Sequence, residues 1–301
     1  MKISAVVNTL NEEVNIIDCL ESLSWVDEII VVYMESDDKT KDLAYRYTKH
    51  VYNHPRIGYV EPARNFALSK ATGDWIMILD ADERIPQTLA SKLIDIAEEN
   101  KVNFVRIPRQ NLIFGHWIEH SRWWPDYNIR FFKRGRVEWQ NEIHSIPITH
   151  GEGLTLDPKK EFALEHHHYI SIDQYLDRLR RYTDIQSKEL LDQGYQLDWT
   201  DLITKPTSEF LSRFFAGQGY QDGFHGLALA GLQAFSEFIV YLKVWQSQGF
   251  KPEKGHKFIQ SLNKLFLSKG KELAYWLTSL QIEYTASKFK RTLLRVKRKF
   301  L

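Results

Sequence analysis

Three acids within four residues, Asp80-Ala81-Asp82-Glu83, follow directly on the apolar run Trp75 to Leu79. That run, preceded by Gly73, predicts a buried strand, and the carboxyl edge of a parallel sheet is where such sheets bind ligands. Asp80 and Asp82, two positions apart, could both lean on one hard divalent cation, Mg2+ or Mn2+, that keeps positions open for diphosphate oxygens. A sugar nucleotide carries such a diphosphate. The same acids could equally cap a helix beginning near Pro86, so the neighbouring segments have to decide.

The elements that must position these acids are readable from periodicity. Ile3 to Val7 is a continuous β-prone run, followed by Asn8, Thr9 and Asn11 and then by Val14, Ile16, Ile17, Leu20 and Leu23 at helical spacing. Glu28 to Tyr33 predicts a second strand, Asp38 to Tyr47 a helix, Val51 to Asn53 a short strand, Arg64 to Ala71 a helix, and the segment from Pro86 to about Asn100 another. Strands alternating with helices argue for a parallel sheet covered on both faces. After a strand at Phe104 to Pro108 the pattern changes to short strands rich in aromatics, up to about Tyr169, as in a mixed sheet that builds a pocket onto the parallel half. Helices are expected over Ile172 to Gly194 and over most of Asp222 to Gly249. The fold class is α/β with a mixed sheet, residues 1–170, and a mainly helical extension, residues 171–301.

Composition narrows the function. Forty Lys and Arg stand against 39 Asp and Glu in 301 residues, which disfavours a nucleic-acid binder. The single cysteine, Cys19, excludes an intramolecular disulfide and any Cys-rich metal site. The apolar stretch after Lys2 is too short for a secretory signal, and Gln233, Glu237 and Lys243 interrupt the most apolar segment, so a cytoplasmic protein without a spanning helix is expected. Residues 287–301 carry seven Lys and Arg and no acid, leaving 33 basic against 39 acidic residues elsewhere. Within that tail Phe289, Leu293, Val296 and Phe300 recur at helical spacing. This is a basic amphipathic helix, suited either to solvent or to an anionic membrane surface.

The order of segments resembles glycosyltransferase family 2, with its GT-A fold. The matching pieces are Ala5-Val-Val-Asn-Thr-Leu-Asn-Glu-Glu13, Asp27-Glu-Ile-Ile-Val-Val32, Ser36-Asp-Asp-Lys-Thr40, Ala63-Arg-Asn65 and Gly73-Asp-Trp-Ile-Met-Ile-Leu-Asp-Ala-Asp-Glu83. Further on, Pro125-Asp126 through Arg130-Phe131-Phe132, Glu142-Ile-His144, and Lys205-Pro206 leading to Gly219-Tyr-Gln-Asp-Gly-Phe-His-Gly226 resemble the branch containing lipopolysaccharide-core glucosyltransferases. The resemblance implies inverting, metal-dependent transfer of a hexose from a nucleotide-diphosphate sugar, a UDP-sugar by preference, to a glycan or lipid-linked acceptor. It implies that Thr9 and Glu12 line the nucleotide pocket, that Arg64 approaches the base or diphosphate, and that Asp80 and Asp82 hold ribose and metal. A guanidinium suits that task, offering a planar fork to phosphate oxygens, although Arg64 could instead form a surface ion pair with Glu61.

The family commonly has an acid straight after the second strand to receive uracil, where this chain has Tyr33; Glu35 could substitute, or Tyr33 could stack on the base. Inversion needs a base, and Asp126 is the first choice, with Glu142 second. The aromatics beside Asp126 are expected to exclude water and raise its pKa. His144 matches a histidine of the branch that would bind diphosphate or complete the metal shell. In Glu165-His166-His167-His168 only His166 and His168 could share one face of a strand, and a structural role is expected for them. Core packing is expected for most of Trp117, Trp123, Trp124, Tyr127 and Trp139, with one or two left to stack on sugar. Nucleotidyl transfer and non-catalytic sugar-nucleotide binding are the competing functions; the first lacks its Gly-rich loop.

Overall fold

The structure, a computed structural model, describes residues 1–56, 61–139 and 147–300. Glu142 and His144 lie outside the described residues. The chain divides into two compact units, one of Met1–Glu119 with Trp123–Ile170 and one of His120–Arg122 with Ser171–Leu301.

In the first unit β1 (Ile3–Thr9), α1 (Ile16–Glu21), β2 (Glu28–Tyr33), α2 (Thr40–Ala44), β3 (Val51–Asn53), α3 (Glu61–Leu68) and β4 (Trp75–Asp80) form a parallel half. There follow β5 (Glu83–Arg84), α4 (Gln87–Glu99), β6 (Phe104–Ile113), β7 (His116–Trp117), β8 (Asp126–Lys133), β9 (Val137–Glu138), β10 (Ile148–Thr149), β11 (Gly153–Thr155) and β12 (Leu164–Tyr169). The main sheet runs β3-β2-β1-β4-β8-β6-β12-β5, with β7 and β11 also paired to β6. β8 is antiparallel to both β4 and β6, whereas β12 is parallel to β6. The α/β mixed sheet expected from the sequence is therefore present.

The continuous apolar runs have a direct cause. Along β4, Trp75, Met77 and Leu79 enter one core with α1 and α4, while Ile76 and Ile78 enter the other with Ala63 and Ala67 of α3. β1 divides in the same way, Ala5 and Val7 to one side and Val6 to the other. Strands buried on both faces need apolar residues at every position. Strand order reverses between β1 and β4, since β2 lies on one side of β1 and β4 on the other. By the general rule for such sheets, that switch point is where a ligand crevice forms, at the carboxyl ends, and there Asn8 of β1 is in register with Asp80 of β4.

The second unit is helical: α5 (Ile172–Asp192), α6 (Asp201–Leu211), α7 (Gly223–Ser247), α8 (His256–Tyr284) and α9 (Lys288–Arg298). Among the described residues, only the segment Gly219–Ser247 is long and apolar enough to cross a membrane by length and composition. Two of its polar residues have partners within the unit: Gln233 Nε2 donates to the Tyr175 hydroxyl, and Lys243 Nζ to Thr183 and Asp184. The glycines of the Gly219–Gly226 segment also have a reason. A Cβ on Gly226 would stand 1.8 Å from the Gly219 carbonyl oxygen, whereas one on Gly231 would meet nothing within 4 Å. We expect Gly226→Ala to destabilise the protein by about 1–3 kcal/mol. In contrast, Gly231→Ala, at an exposed helix position, should stabilise it by roughly 0.5–1 kcal/mol. Thermal or denaturant unfolding of the two variants checks the pair.

Candidate active site

The crevice is framed by two loops stitched together by side chains. After β1, Asn11 N–H donates to Ser36 Oγ, Glu12 N–H to Thr40 Oγ1 and Glu13 N–H to Asp38 Oδ2. In return, Asp37 N–H donates to Asn11 Oδ1 and Lys39 N–H to Glu13 Oε2. The Ser36-Asp37-Asp38 segment thus locks the loop after β2 onto the loop after β1. Glu12 also accepts from Asn15 Nδ2 through its carboxylate, at 2.7 Å. Tyr33 ends β2 with the Lys41 ammonium 5.1 Å from its ring centroid. Glu35 is exposed and holds a positive φ of 51°.

At the crevice floor lies a connected network of charged groups. Asp80 accepts from Arg64 Nη2 on both oxygens, at 3.0 and 3.1 Å, and from Arg130 Nη2 at 2.5 Å. Arg64 pairs with Asp80 and stacks its guanidinium 5.5 Å from the Trp139 ring, while Asn65 Nδ2 donates to the Trp139 carbonyl. Arg130 Nη2 also donates to Glu83 Oε1 at 2.8 Å, and Arg109 Nη1 to the same oxygen at 3.2 Å. The other Glu83 oxygen accepts from Asp80 N–H. Glu83 is fully buried, so its charge is tolerable only because two guanidinium groups meet it. Burial pushes the Asp80 carboxyl up, but the charges of Arg130 and Arg64 and their hydrogen bonds overcome it and hold the group well below the usual carboxylate range.

Arg109 carries the network to Asp126, its register partner across β6 and β8. Asp126 Oδ2 accepts from Arg109 Nε at 2.9 Å, from Arg109 Nη2 at 2.6 Å and from Asn111 Nδ2 at 3.2 Å. Its Oδ1 meets only Asn128 Nδ2, at 3.3 Å, among the hydrogen bonds of the described residues. The expected rise in the Asp126 pKa is corrected here. Burial does push it up, but the Arg109 charge, the bonds from Arg109 and Asn111 and the nearby His166 outweigh burial and leave it below its ordinary value. The aromatics stand nearby, but the register of β6 sets an arginine directly on the carboxylate.

From Asn111 the chain of contacts turns to the histidines. Asn111 Nδ2 donates to the Trp123 carbonyl, which fixes the amide orientation and makes Asn111 Oδ1 an acceptor. His166 Nδ1 lies 2.6 Å from that oxygen and must carry the proton. In the neutral ring Nε2 then carries the lone pair; it lies 3.5 Å from Asp82 Oδ2 and 3.2 Å from His168 Nδ1. A ring whose far nitrogen is pinned by a carbonyl is the arrangement that orients metal-ligating histidines. Asp82 and His166 are both buried, on segments that pair antiparallel, with His166 in register with Glu83. Among the described residues no three His, Cys, Asp or Glu side chains are arranged to hold a metal by themselves.

Several polar atoms at this end of the sheet are buried with no partner among the described residues: both amide atoms of Asn8, Thr9 Oγ1, and Nε of Arg64 and Arg130. Each such atom costs about 1–3 kcal/mol, and a cluster of them beside a crevice marks surface shaped for a ligand. The structure thus brings Thr9, Arg64, Asp80, Asp82 and Asp126 to one edge of the first unit, with Glu12 and Glu35 in the stitched loops beside it. Sequence reasoning gave no role to Asn8, Glu83, Arg109, Asn111 or Arg130. Arg130 carried a usable signal, as an arginine set against Ile129, Phe131 and Phe132 in a strand needs a buried acid. Of the aromatics, Trp139 is in the core, Trp117 packs edge-on against Trp124 and Trp123 lies against His168.

Comparison with known proteins gives the chemical class. Residues 4–151 match the family model described as Glycosyl transferase family 2. A glycosyltransferase of Rickettsia typhi is 29% identical over 256 residues, covering 81% of this chain and 86% of that protein. The lipopolysaccharide core biosynthesis glycosyltransferase LpsC of Rhizobium meliloti is 24% identical over 260 residues, covering 83% and 94%. Among solved structures, glucosyl-3-phosphoglycerate synthase from Mycobacterium tuberculosis, crystallised with Mn2+, uridine-diphosphate-glucose and phosphoglyceric acid, is 25% identical with a TM-score of 0.32, over 35% of this chain and 42% of that one.

Proposed function

Because this chain belongs to glycosyltransferase family 2, with residues 4–151 as its family domain, we propose that it moves a hexose, with inversion, from a nucleotide-diphosphate sugar to a glycan of the cell envelope. The observation that carries this reading is the pair of buried ligand atoms, Asp82 Oδ2 and His166 Nε2, 3.5 Å apart beside a carboxylate already held by two arginines. A divalent cation, Mg2+ or Mn2+, suits that donor set. The carboxylate is a usual ligand of either ion, whereas the imidazole, in its neutral form, favours the softer Mn2+ over Mg2+, and two protein ligands suffice when diphosphate oxygens and water fill the rest. Bound there, the ion would offset the charge that builds on the departing diphosphate. In this reading Asp82, beside His166, is the metal ligand, and Asp80, whose oxygens accept from arginine, aims Arg64 and Arg130.

In this reading the donor nucleotide, uridine diphosphate by preference, lies against Tyr33 at the end of β2 and against Asn8 and Thr9 at the end of β1, whose buried polar atoms have no partner among the described residues. Arg64 turns its guanidinium toward the diphosphate while its face stays stacked on Trp139. Asp126 takes the proton of the acceptor hydroxyl on Oδ1, because Arg109 and Asn111 occupy Oδ2. Glu142 and His144 keep the places the family resemblance implies, as second base and diphosphate or metal contact. The likeness to LpsC supports a lipopolysaccharide-type, lipid-linked acceptor. Such an acceptor puts the enzyme in the cytoplasm, peripheral to the inner face of the cytoplasmic membrane, with residues 287–301 in contact with it.

The test is a product assay with a panel of nucleotide sugars, lipid-linked core acceptors and Mn2+. Transfer from one donor, lost on chelation, is expected. Absence of both transfer and donor hydrolysis across the panel would reject the reading.

A further inference from the structure

One buried amide stands between the two groups to which the proposed reaction gives its largest roles. Asn111, on β6, is 1% exposed, and both polar atoms of its side chain have partners within the first unit. Nδ2 donates to the Trp123 carbonyl at 2.8 Å and to Asp126 Oδ2 at 3.2 Å, which accounts for both of its hydrogens. Oδ1 lies 2.6 Å from His166 Nδ1.

The amide has one satisfactory orientation. Turned over, it would set Oδ1 against the Trp123 carbonyl and the Asp126 carboxylate, oxygen against oxygen, and lose both hydrogen bonds in a buried site. Those two acceptors claim Nδ2, so His166 is left with the carbonyl oxygen. In the neutral ring the proton then sits on Nδ1 and the lone pair on Nε2, the atom 3.5 Å from Asp82 Oδ2. Trp123 and Asp126 thus decide, through the amide, which nitrogen of His166 is free to meet a cation. The same group acts on Asp126 in return. Together with Arg109 Nε and Nη2 it fills Oδ2, leaving Oδ1 with Asn128 Nδ2 at 3.3 Å. Arg109 brings charge to that carboxylate; Asn111 is neutral, and what it adds is direction.

We propose that Asn111 is a positioning residue that sets the metal ligand and the base together, fixing the His166 tautomer with its carbonyl and the free oxygen of Asp126 with its NH2 group. This deepens the proposed function and rests on the roles given there to His166 and Asp126.

The test begins without metal or substrate. Histidine is labelled with 15N in the metal-free chain at about pH 8, above the ordinary histidine range, and the His166 ring is identified by its loss in His166→Ala. Wild type is expected to carry the proton on Nδ1. Asn111→Leu, which has the same branching and no hydrogen-bonding group, should lose that preference. In calorimetry its Mn2+ effect on uridine diphosphate binding should fall about tenfold or more, as when the partner behind a metal ligand is removed, and kcat should fall with it. Adding Asn111→Leu to His166→Ala isolates the arm through Asp126: transfer should drop about a further tenfold, since the arm through His166 is already gone.

A proton on Nε2 of the wild-type ring, or an unchanged tautomer and Mn2+ effect in a folded Asn111→Leu, would overturn the arm through His166. Equal transfer in His166→Ala and the double variant would overturn the arm through Asp126. Should Asn111→Leu fail to fold, Asn111→Ala takes its place, and the wild-type spectrum by itself decides the tautomer. A wild-type ring protonated on Nδ1 in a chain with neither transfer nor an Mn2+ effect would instead reject the enzyme reading, and the positioning role with it.

Discussion

Asp82→Asn is expected to lower sugar transfer about a hundred- to thousandfold, the usual loss when one preorganised stabiliser of transition-state charge is removed. The substitution keeps the shape of the side chain and removes only its charge, so the proposed cation would lose its one carboxylate ligand from this pair. The fold should be little affected. The Asp82 backbone carbonyl, which accepts from His167 N–H and ties β5 to β12, is untouched by the change. Unchanged turnover in Asp82→Asn would remove the metal role from this residue. His166→Ala should act in the same direction, because it removes the second proposed ligand atom while Asn111 keeps its bonds to Trp123 and Asp126.

The second large effect is expected at Asp126. Asp126→Asn should cost roughly a hundred- to ten-thousandfold in transfer, the range for loss of a general base, with donor binding retained. Retained transfer would move the base to Glu142. A pH profile adds a signature specific to this geometry. The Asp126 pKa is held below its ordinary value, so the group stays ionised and competent as pH falls, and activity is lost only as pH drops through that depressed pKa. Burial opposes this and the Arg109 charge with its hydrogen bonds wins, so in Arg109→Gln burial is less opposed and the acid limb of kcat/KM should move to higher pH. An acid limb at the same pH in wild type and Arg109→Gln would show that another group sets it.

The parallel half was legible because its physics is local. Strands buried on both faces must be apolar throughout, and Trp75 to Leu79 ending in Asp80 could hardly be anything else. The amphipathic spacing of α9 was equally plain. Two helices were not. Pro206 lies inside α6, where sequence reasoning takes a proline as a break, and α8 hides its 29 residues because only part of its circumference is buried. The network at the crevice was hidden for a different reason. Arg130 reaches back 50 positions to Asp80, His166 pins Asn111 across 55, and Arg109 finds Asp126 only through the register of β6 with β8. Asp126 was identified as a site residue, but the sign of its pKa shift depended on that register, which no local pattern reports.

The most direct measurement is calorimetric titration of uridine diphosphate into the wild-type chain, with Mn2+ and with chelator, repeated in Asp82→Asn. The account predicts that Mn2+ tightens nucleotide binding at least tenfold in wild type and has little effect in the variant. Equal affinity with and without Mn2+ in wild type, or an undiminished Mn2+ effect in Asp82→Asn, would contradict it.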